Sequence, residues 1–234
     1  MTLQERDYGT PIAIVVDEQN DFFPGGALGV AGGDDIIAPT NAITEWTRNQ
    51  GGQVIFTRDK HNPETRHFDT NGGPWPVHCV TYPDILSRPQ GAEGAALHSD
   101  LRLAPADLIA SKGMSNEDDG YSGAEAIIET AGDGQPAALQ TVETYIQDAV
   151  ERNQKIGKRT LLIVMGLATD YCVKATVLDL AGATDHEWAQ IYVLSDAMRA
   201  VNLACGDGDR AIAAMQQAGA IITTSDELME RLEA

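Results

Sequence analysis

Six short apolar runs, each closed by polar or turn-forming residues, constrain the fold of this chain more than any other feature. They are PIAIVV (11–16), QVIFTR (53–58), DLIASK (107–112), TLLIVMG (160–166), QIYVLSD (190–196) and AIITT (220–224). Each is strand-length, rich in isoleucine and valine, and continuous rather than alternating, the pattern of strands buried on both faces. Amphipathic, helix-length segments lie near 36–50, 141–156, 171–183, 207–218 and 225–233, with Asp34 or Asp35 as cap for the first and Ser225 for the last. Alternating strands and helices predict a three-layer α/β/α fold, Rossmann-like, around a central, mostly parallel sheet of about six strands. A length of 234 residues suits one domain, 1–234, with a full core. The stretch 60–106, with Pro63, Pro74, Pro76, Pro83 and Pro89, reads as a long loop region, and AGDGQPA (131–137) as a surface loop before a helix.

Charge narrows the partners. A formal net charge of −19 opposes non-specific association with nucleic acid or an anionic membrane, because both present phosphates. No apolar run approaches the ~18 residues of a membrane span. The start, MTLQERDYGT, is polar and of mixed charge, unlike a signal peptide. Three scattered cysteines, Cys79, Cys172 and Cys205, do not make a disulfide framework, so a reduced, cytoplasmic setting is expected.

In sheets of this kind ligands bind beyond the carboxyl ends of the strands. Reading those ends in turn gives Asp17 (VVDEQNDF), Asp59 (FTRDKH), Lys112 (IASKG) and the turn GLATDYC carrying Cys172. A cysteine at a helix start has its thiolate favoured by the helix dipole, and a nearby lysine adds to that. A carboxylate beside it takes the thiol proton and later returns it to a leaving amine. Cys79 and Cys205 lack such company and read as small buried hydrophobes.

A second constellation lies in DKHNPETRHFDTNGGPWPVHCV, residues 59–80. Asp59 and His61 are two apart and face one side of an extended segment, and His67 and His78 follow in the same loop. Three of the five histidines in 18 residues, beside a carboxylate, make a donor set for zinc, iron or manganese with open positions. His98 and His186 stand apart from it, and Cys79, next to His78, points the other way.

The stretches VDEQNDFFPGGALGV, TRDKHNPETRHF, GPWPVHCV, SKGM…YSG and GLATDYCVKAT resemble the nicotinamidases, within the isochorismatase-like cysteine hydrolases, in order and spacing from about residue 11 to 224. The resemblance implies the isochorismatase-like hydrolase fold and a triad of Asp17, Lys112 and Cys172. It implies one divalent metal, zinc or else iron or manganese, on Asp59, His61 and His78, with His67 in direct or water-bridged contact. It places Phe22, Trp75 and Tyr121 as aromatic walls, with Leu167 beside them, and a cis peptide at Leu167–Ala168 that aims the Ala168 and Cys172 amides at one point. The implied substrate is a small molecule, nicotinamide and by extension pyrazinamide, hydrolysed in NAD salvage, and a homo-oligomer is compatible. One departure is expected near 130–158, which looks longer than in compact members. Three alternatives stay open at this stage: a metal-free amidase, an isochorismatase-like vinyl-ether hydrolase, and a non-catalytic metal-binding module.

Overall fold

A computed structural model describes residues 8–80, 91–117, 120–131, 134 and 136–233; Pro83 and Pro89 lie outside them. All six expected strands form: β1 (Ile12–Val16), β2 (Gln53–Asp59), β3 (Leu108–Lys112), β6 (Thr160–Leu167), β7 (Ala189–Arg199) and β8 (Ile221–Thr223). Two more, β4 (Ile127–Ala131) and β5 (Pro136–Thr141), raise the count among the described residues to eight, in the order β5-β4-β3-β2-β1-β6-β7-β8. The six expected strands pair in parallel, and β4 and β5 extend the β3 edge as antiparallel strands. Within the expected loop over 131–137, Ala131 closes β4 and residues 136 and 137 open β5, while residues 132, 133 and 135 lie outside the described residues. Helices are α1 (Ile37–Asn49), the single turn α2 (Gly91–Gly94), α3 (Val142–Lys155), α4 (Lys174–Ala183), α5 (Asp207–Gln217) and α6 (Ser225–Glu233). None is long and apolar enough to cross a membrane.

The continuous apolar runs arise because both sheet faces are covered. Ile12, Ile14 and Val16 of β1, with Leu162 and Val164 of β6, pack with Ile146 of α3, Val177 of α4 and Met215 of α5. Ala13, Val15, Ile163 and Met165 face the other way, onto Ile43 of α1 and Leu228 and Leu232 of α6. All eight β6 residues are buried. Gly166, at φ +121°, is required where β6 passes β1, since a Cβ there would meet the Val16 carbonyl oxygen at 2.1 Å.

Two capping expectations are corrected. Asp34 and Asp35 sit in a 3₁₀ turn (Gly33–Ile36) before α1, and no side chain caps α1 itself. At α6 the cap is Thr224, whose Oγ1 accepts the Glu227 amide at 3.3 Å, while Glu227 reaches back to the Thr224 amide at 3.4 Å. Ser225 instead gives its hydroxyl to Asp196.

The chain turns sharply after β1, and Asp17 sits there at φ +50°. Glu18 then points into the protein. Its Oε1 accepts the Thr40 hydroxyl at 2.7 Å, and its Oε2 is buried without a partner. Burial pushes this carboxyl from its ordinary 4.5 up to about 8, against the Thr40 hydrogen bond. The folded protein thus holds a proton that the unfolded chain releases near pH 4.5. Stability tied to this group is fully present below about pH 4.5 and is lost as pH rises towards about 8. Glu18→Gln removes that penalty, so the variant should gain on the parent across this window, by a few kcal/mol at most. Urea unfolding from pH 4.5 to 8.5 checks this, and parallel stability–pH curves for the two proteins would contradict it.

Candidate active site

The sheet order reverses between β1 and β6, and the side chains singled out in the sequence gather at the carboxyl ends of the strands beside that point. Register does much of the placing. Asp59 and Lys112 are paired residues at the ends of β2 and β3, and Val16 and Gly166 pair just before Asp17 and the Cys172 turn. Asp17, Asp59, His61, His78, Lys112 and Cys172 are all buried. The Leu167–Ala168 peptide is cis, and a π-helical turn (Thr169–Val173) carries Cys172 into α4.

Lys112 joins the two constellations. Its Nζ lies 2.6 Å from Asp17 Oδ2, is hydrogen-bonded to Asp59 Oδ1 and the Gly120 carbonyl, and stands 3.6 Å from Cys172 Sγ. Burial disfavours the charged lysine, yet Asp17 and Asp59 outweigh it and hold the ammonium well above its ordinary value. At Asp17 burial dominates: the carboxyl is lifted to about 6 against the pull of Lys112. Asp59 goes the other way, because Lys112 and the imidazoles of His61 and His78 together overcome burial and hold it below the carboxylate range. Thr57 donates to Asp17 Oδ1 at 2.8 Å and fixes the direction of that carboxylate.

Of the influences expected on the thiol, the favouring one of Lys112 is outweighed. Burial, helped by the negative charges of Asp17 and Asp59, raises Cys172 well above the ordinary thiol value despite Lys112. The resting side chain is a thiol, and a base is needed to activate it. Cys79 is buried, with its amide donating to Asp21 at 2.7 Å, whereas Cys205 is exposed rather than core.

His61, His67 and His78 bring nitrogen donors within 4.8 Å of one another. His61 Nδ1 contacts the Gly113 carbonyl at 3.0 Å, and His78 Nδ1 the Pro76 carbonyl at 2.7 Å. A carbonyl only accepts, so each Nδ1 carries a proton, and in the neutral ring each Nε2 presents a lone pair inward. Those nitrogens face Asp59 Oδ2 at 3.3 and 3.8 Å, and His61 Nε2 is buried without a hydrogen-bond partner. Lone pairs converging on a carboxylate oxygen repel unless a cation lies between them, so this donor set fits a divalent metal. Burial lowers His61, but Asp59 outweighs it and the net shift is upward. Burial and the neighbouring rings push His67 down to about 4, and burial also lowers His78. Gly113, at φ +67°, lets the His61 ring in, since a Cβ there would stand 2.5 Å from its Cε1.

One small cavity touches both groups of residues. Phe22, Trp75, Tyr121, Ala168 and Cys172 line it, together with Asp59, His67 and His78. Trp75 Nε1 donates to the Tyr121 hydroxyl at 2.8 Å, locking two of the expected aromatic walls together. Leu167 packs behind the cavity with Phe22 and Ala168 and does not line it. Sequence reasoning missed four lining residues, Leu28, Val30, Tyr171 and Val201. It also missed Gln19, whose side-chain amide pairs with the backbone of Asp59: Nε2 donates to its carbonyl at 2.8 Å, and Oε1 accepts its amide at 2.7 Å. Tyr171, next to Cys172, was within reach of the motif; Leu28, Val30 and Val201 carry no chemical signal.

Comparison with known proteins agrees with this geometry. The isochorismatase domain matches residues 11–116 and 141–227. The unmatched interval, 117–140, holds β4 and most of β5 and overlaps the first part of the segment expected to depart, near 130–158. The nicotinamidase of Escherichia coli (strain K12) is 33% identical over 226 residues, 90% of this chain and 93% of that protein. The pyrazinamidase of Pyrococcus horikoshii, solved in complex with zinc, superposes with a TM-score of 0.67 at 29% identity, over 92% of this chain and 99% of that one. PnC1 from L. infantum, solved in complex with nicotinate, gives 0.68 at 27% identity, over 97% and 96%.

The shared ammonium has a measurable consequence. Lys112→Met keeps most of the side-chain length but leaves Asp17 and Asp59 buried without their counter-charge. Breaking such an arrangement costs about 3–5 kcal/mol. Denaturant unfolding of the variant should show a loss of that order, and a loss below about 1 kcal/mol would contradict the role given to Lys112.

Proposed function

The chain belongs to the isochorismatase-domain family, and on that premise we propose that it is a nicotinamidase, a cysteine hydrolase that cleaves the carboxamide C–N bond of nicotinamide to give nicotinate and ammonia. The observation that carries this reading is the single buried ammonium linking a thiol–carboxylate pair to a carboxylate–imidazole cluster across one aromatic-walled cavity. Each half matches one end of the substrate: the thiol side meets the carboxamide, and the imidazole side lies where the pyridine nitrogen would be held.

The chain's own residues account for the proton movements. With its carboxyl lifted to about 6, Asp17 is mostly ionised at neutral pH yet basic enough to take a proton from the Cys172 thiol. The thiolate sulfur attacks the carboxamide carbon and the carbonyl oxygen becomes an oxyanion, for which we assign the Ala168 and Cys172 amides as donors. Asp17 returns the proton to the amine nitrogen, the C–N bond breaks, and ammonia leaves a thioester on Cys172. Water, losing a proton to Asp17, attacks the thioester; the C–S bond breaks, the thiol is re-formed and nicotinate departs. Lys112 holds the Asp17 carboxylate in place and offsets the negative charge on sulfur. Asp59, His61 and His78, with His67 as a further donor, would hold the divalent metal, zinc by the chemistry of the donors with iron or manganese as substitutes. When bound it supplies a Lewis acid for the ring nitrogen, and so orientation of the carboxamide over the thiol. Phe22, Trp75 and Tyr121 sandwich the ring, a mode that also admits pyrazinamide. We assign this nicotinate production to NAD salvage in the cytoplasm.

Cys172→Ala should lose at least 99% of ammonia release while retaining the fold, and Cys172→Ser nearly as much, read by a coupled ammonia assay and circular dichroism. A variant that keeps more than a few per cent of parental turnover would remove Cys172 from the nucleophile role.

Chelation should abolish both turnover and binding of nicotinamide, and His61→Ala or His78→Ala should reproduce the chelated state, with a smaller effect from His67→Ala. Benzamide, which keeps the carboxamide but lacks the ring nitrogen, should react at least about a hundredfold more slowly, because orientation is lost. Calorimetry with the two amides, alongside the ammonia assay, checks this. Efficient hydrolysis of benzamide, or full activity in rigorously metal-free protein, would contradict the anchoring.

A further inference from the structure

Most of the cavity wall comes from the segments that carry the site residues. Val201 does not. It lies in the connection between β7 and α5, far along the chain from every other lining residue except those of the Cys172 turn. Little apolar packing holds this connection: Leu203 is 70% exposed, and Asn202, Ala204 and Cys205 are exposed as well. Val201 alone turns inward, against the cluster formed by Phe22, Val30, Leu167 and Ala168.

Hydrogen bonds place it. Asp170, buried in the turn two residues before Cys172, accepts the Val201 amide on Oδ1 at 2.9 Å and the Asn202 amide on Oδ2 at 2.8 Å. Asn202, at φ +52°, accepts the Gly208 amide of α5 on its own Oδ1 at 2.9 Å. The turn that presents the thiol is therefore the same turn that fixes the distance of the Val201 wall, and α5 braces the connection from behind.

The two anchors of a nicotinamide ring are the nitrogen at position 1 and the carboxamide at position 3. Both lie on one side of the ring, with the carbon at position 2 between them, so the carbon at position 5 points away from both. The anchoring residues His61, His78 and Cys172 are buried, whereas the lining residues Leu28, His67, Tyr121, Tyr171 and Val201 are half-buried. With the anchoring residues buried, the free ring edge would face this half-buried side of the cavity, to which Val201 belongs.

Resting on the nicotinamidase reading, we propose that Val201 is a specificity-determining residue that limits substituents at ring position 5, and that Asp170 is the positioning residue that sets this limit. Asp170 touches no substrate; it acts by holding the Val201 backbone with both carboxylate oxygens. Shortening the wall should admit a methyl group at position 5, and lengthening it should reject that group more strongly. One methyl or methylene in an apolar pocket commonly changes discrimination by about 10–200-fold.

The test is the ratio of kcat/KM for 5-methylnicotinamide to that for nicotinamide, measured with metal-loaded enzyme. Val201→Ala should raise the ratio at least about tenfold, and Val201→Ile should lower it. Asp170→Asn, which replaces one acceptor oxygen with an NH2 group, should raise the ratio less than Val201→Ala does. Added to Val201→Ala it should raise the ratio no further, because both changes act through one wall. If Asp170→Asn does not fold, Asp170→Glu, which keeps both acceptors but shifts them by a methylene, takes its place with the same expectation. A ratio unchanged in both Val201 variants would overturn the inference, and independent, additive effects would overturn the role of Asp170. Parental enzyme that releases no ammonia from nicotinamide would instead overturn the activity itself, so the two failures are distinguishable.

Discussion

The arrangement depends on one buried cation. Lys112 is shared between Asp17 and Asp59, and its ammonium also lies within reach of the Cys172 sulfur. Two carboxylates this deep could not both ionise without it. The sharing is unequal in effect: Asp17, dominated by burial, is left as a base of intermediate strength, while Asp59, which also faces imidazoles, is fixed as an anion. One charge therefore prepares a proton acceptor on one side and a ligand on the other. This division matches what an amide hydrolase with a metal-anchored substrate requires, a base that cycles and a ligand that does not.

The sheet makes this possible. Parallel register sets the ends of β2 and β3 side by side, so Asp59 and Lys112 meet without a long loop having to find its place. Gln19 then clamps the Asp59 backbone, and Thr57 clamps the Asp17 side chain, from within the same layer. Loop residues are added to a frame that is already rigid. Gly113 and Gly166 mark two of the points where that frame comes too close for a side chain.

Much of this was legible in the sequence, for a physical reason. Strands covered on both faces must be continuously apolar, and polar groups at their carboxyl ends then stand out; Asp17, Asp59, Lys112 and the Cys172 turn were all found that way. The β4–β5 hairpin was missed because strands at an edge or next to it obey weaker rules. IIETA places Glu129 among its apolar residues, where it pairs with Lys60 and Arg58, and PAALQT opens on a proline, which an edge tolerates. The balance of influences on the Cys172 thiol was not legible. A helix start and a nearby lysine argue for a thiolate, but how deeply the sulfur is buried, and that two carboxylates face it, are facts of tertiary structure. Gln19 was invisible for a related reason, since its partner is backbone, and Val201 because an apolar loop residue announces nothing until a cavity surrounds it.

The central claim is that the Cys172 thiol, activated by Asp17, becomes covalently acylated during turnover. Rapid acid quench of the metal-loaded enzyme under saturating nicotinamide, followed by intact-mass and peptide mass spectrometry, tests it most directly. The account predicts a nicotinoyl adduct on Cys172 that forms within a turnover, is released by hydroxylamine as expected of a thioester, and is absent from Cys79 and Cys205. Steady turnover with no acyl adduct when deacylation is slowed, or an adduct on another residue, would contradict it.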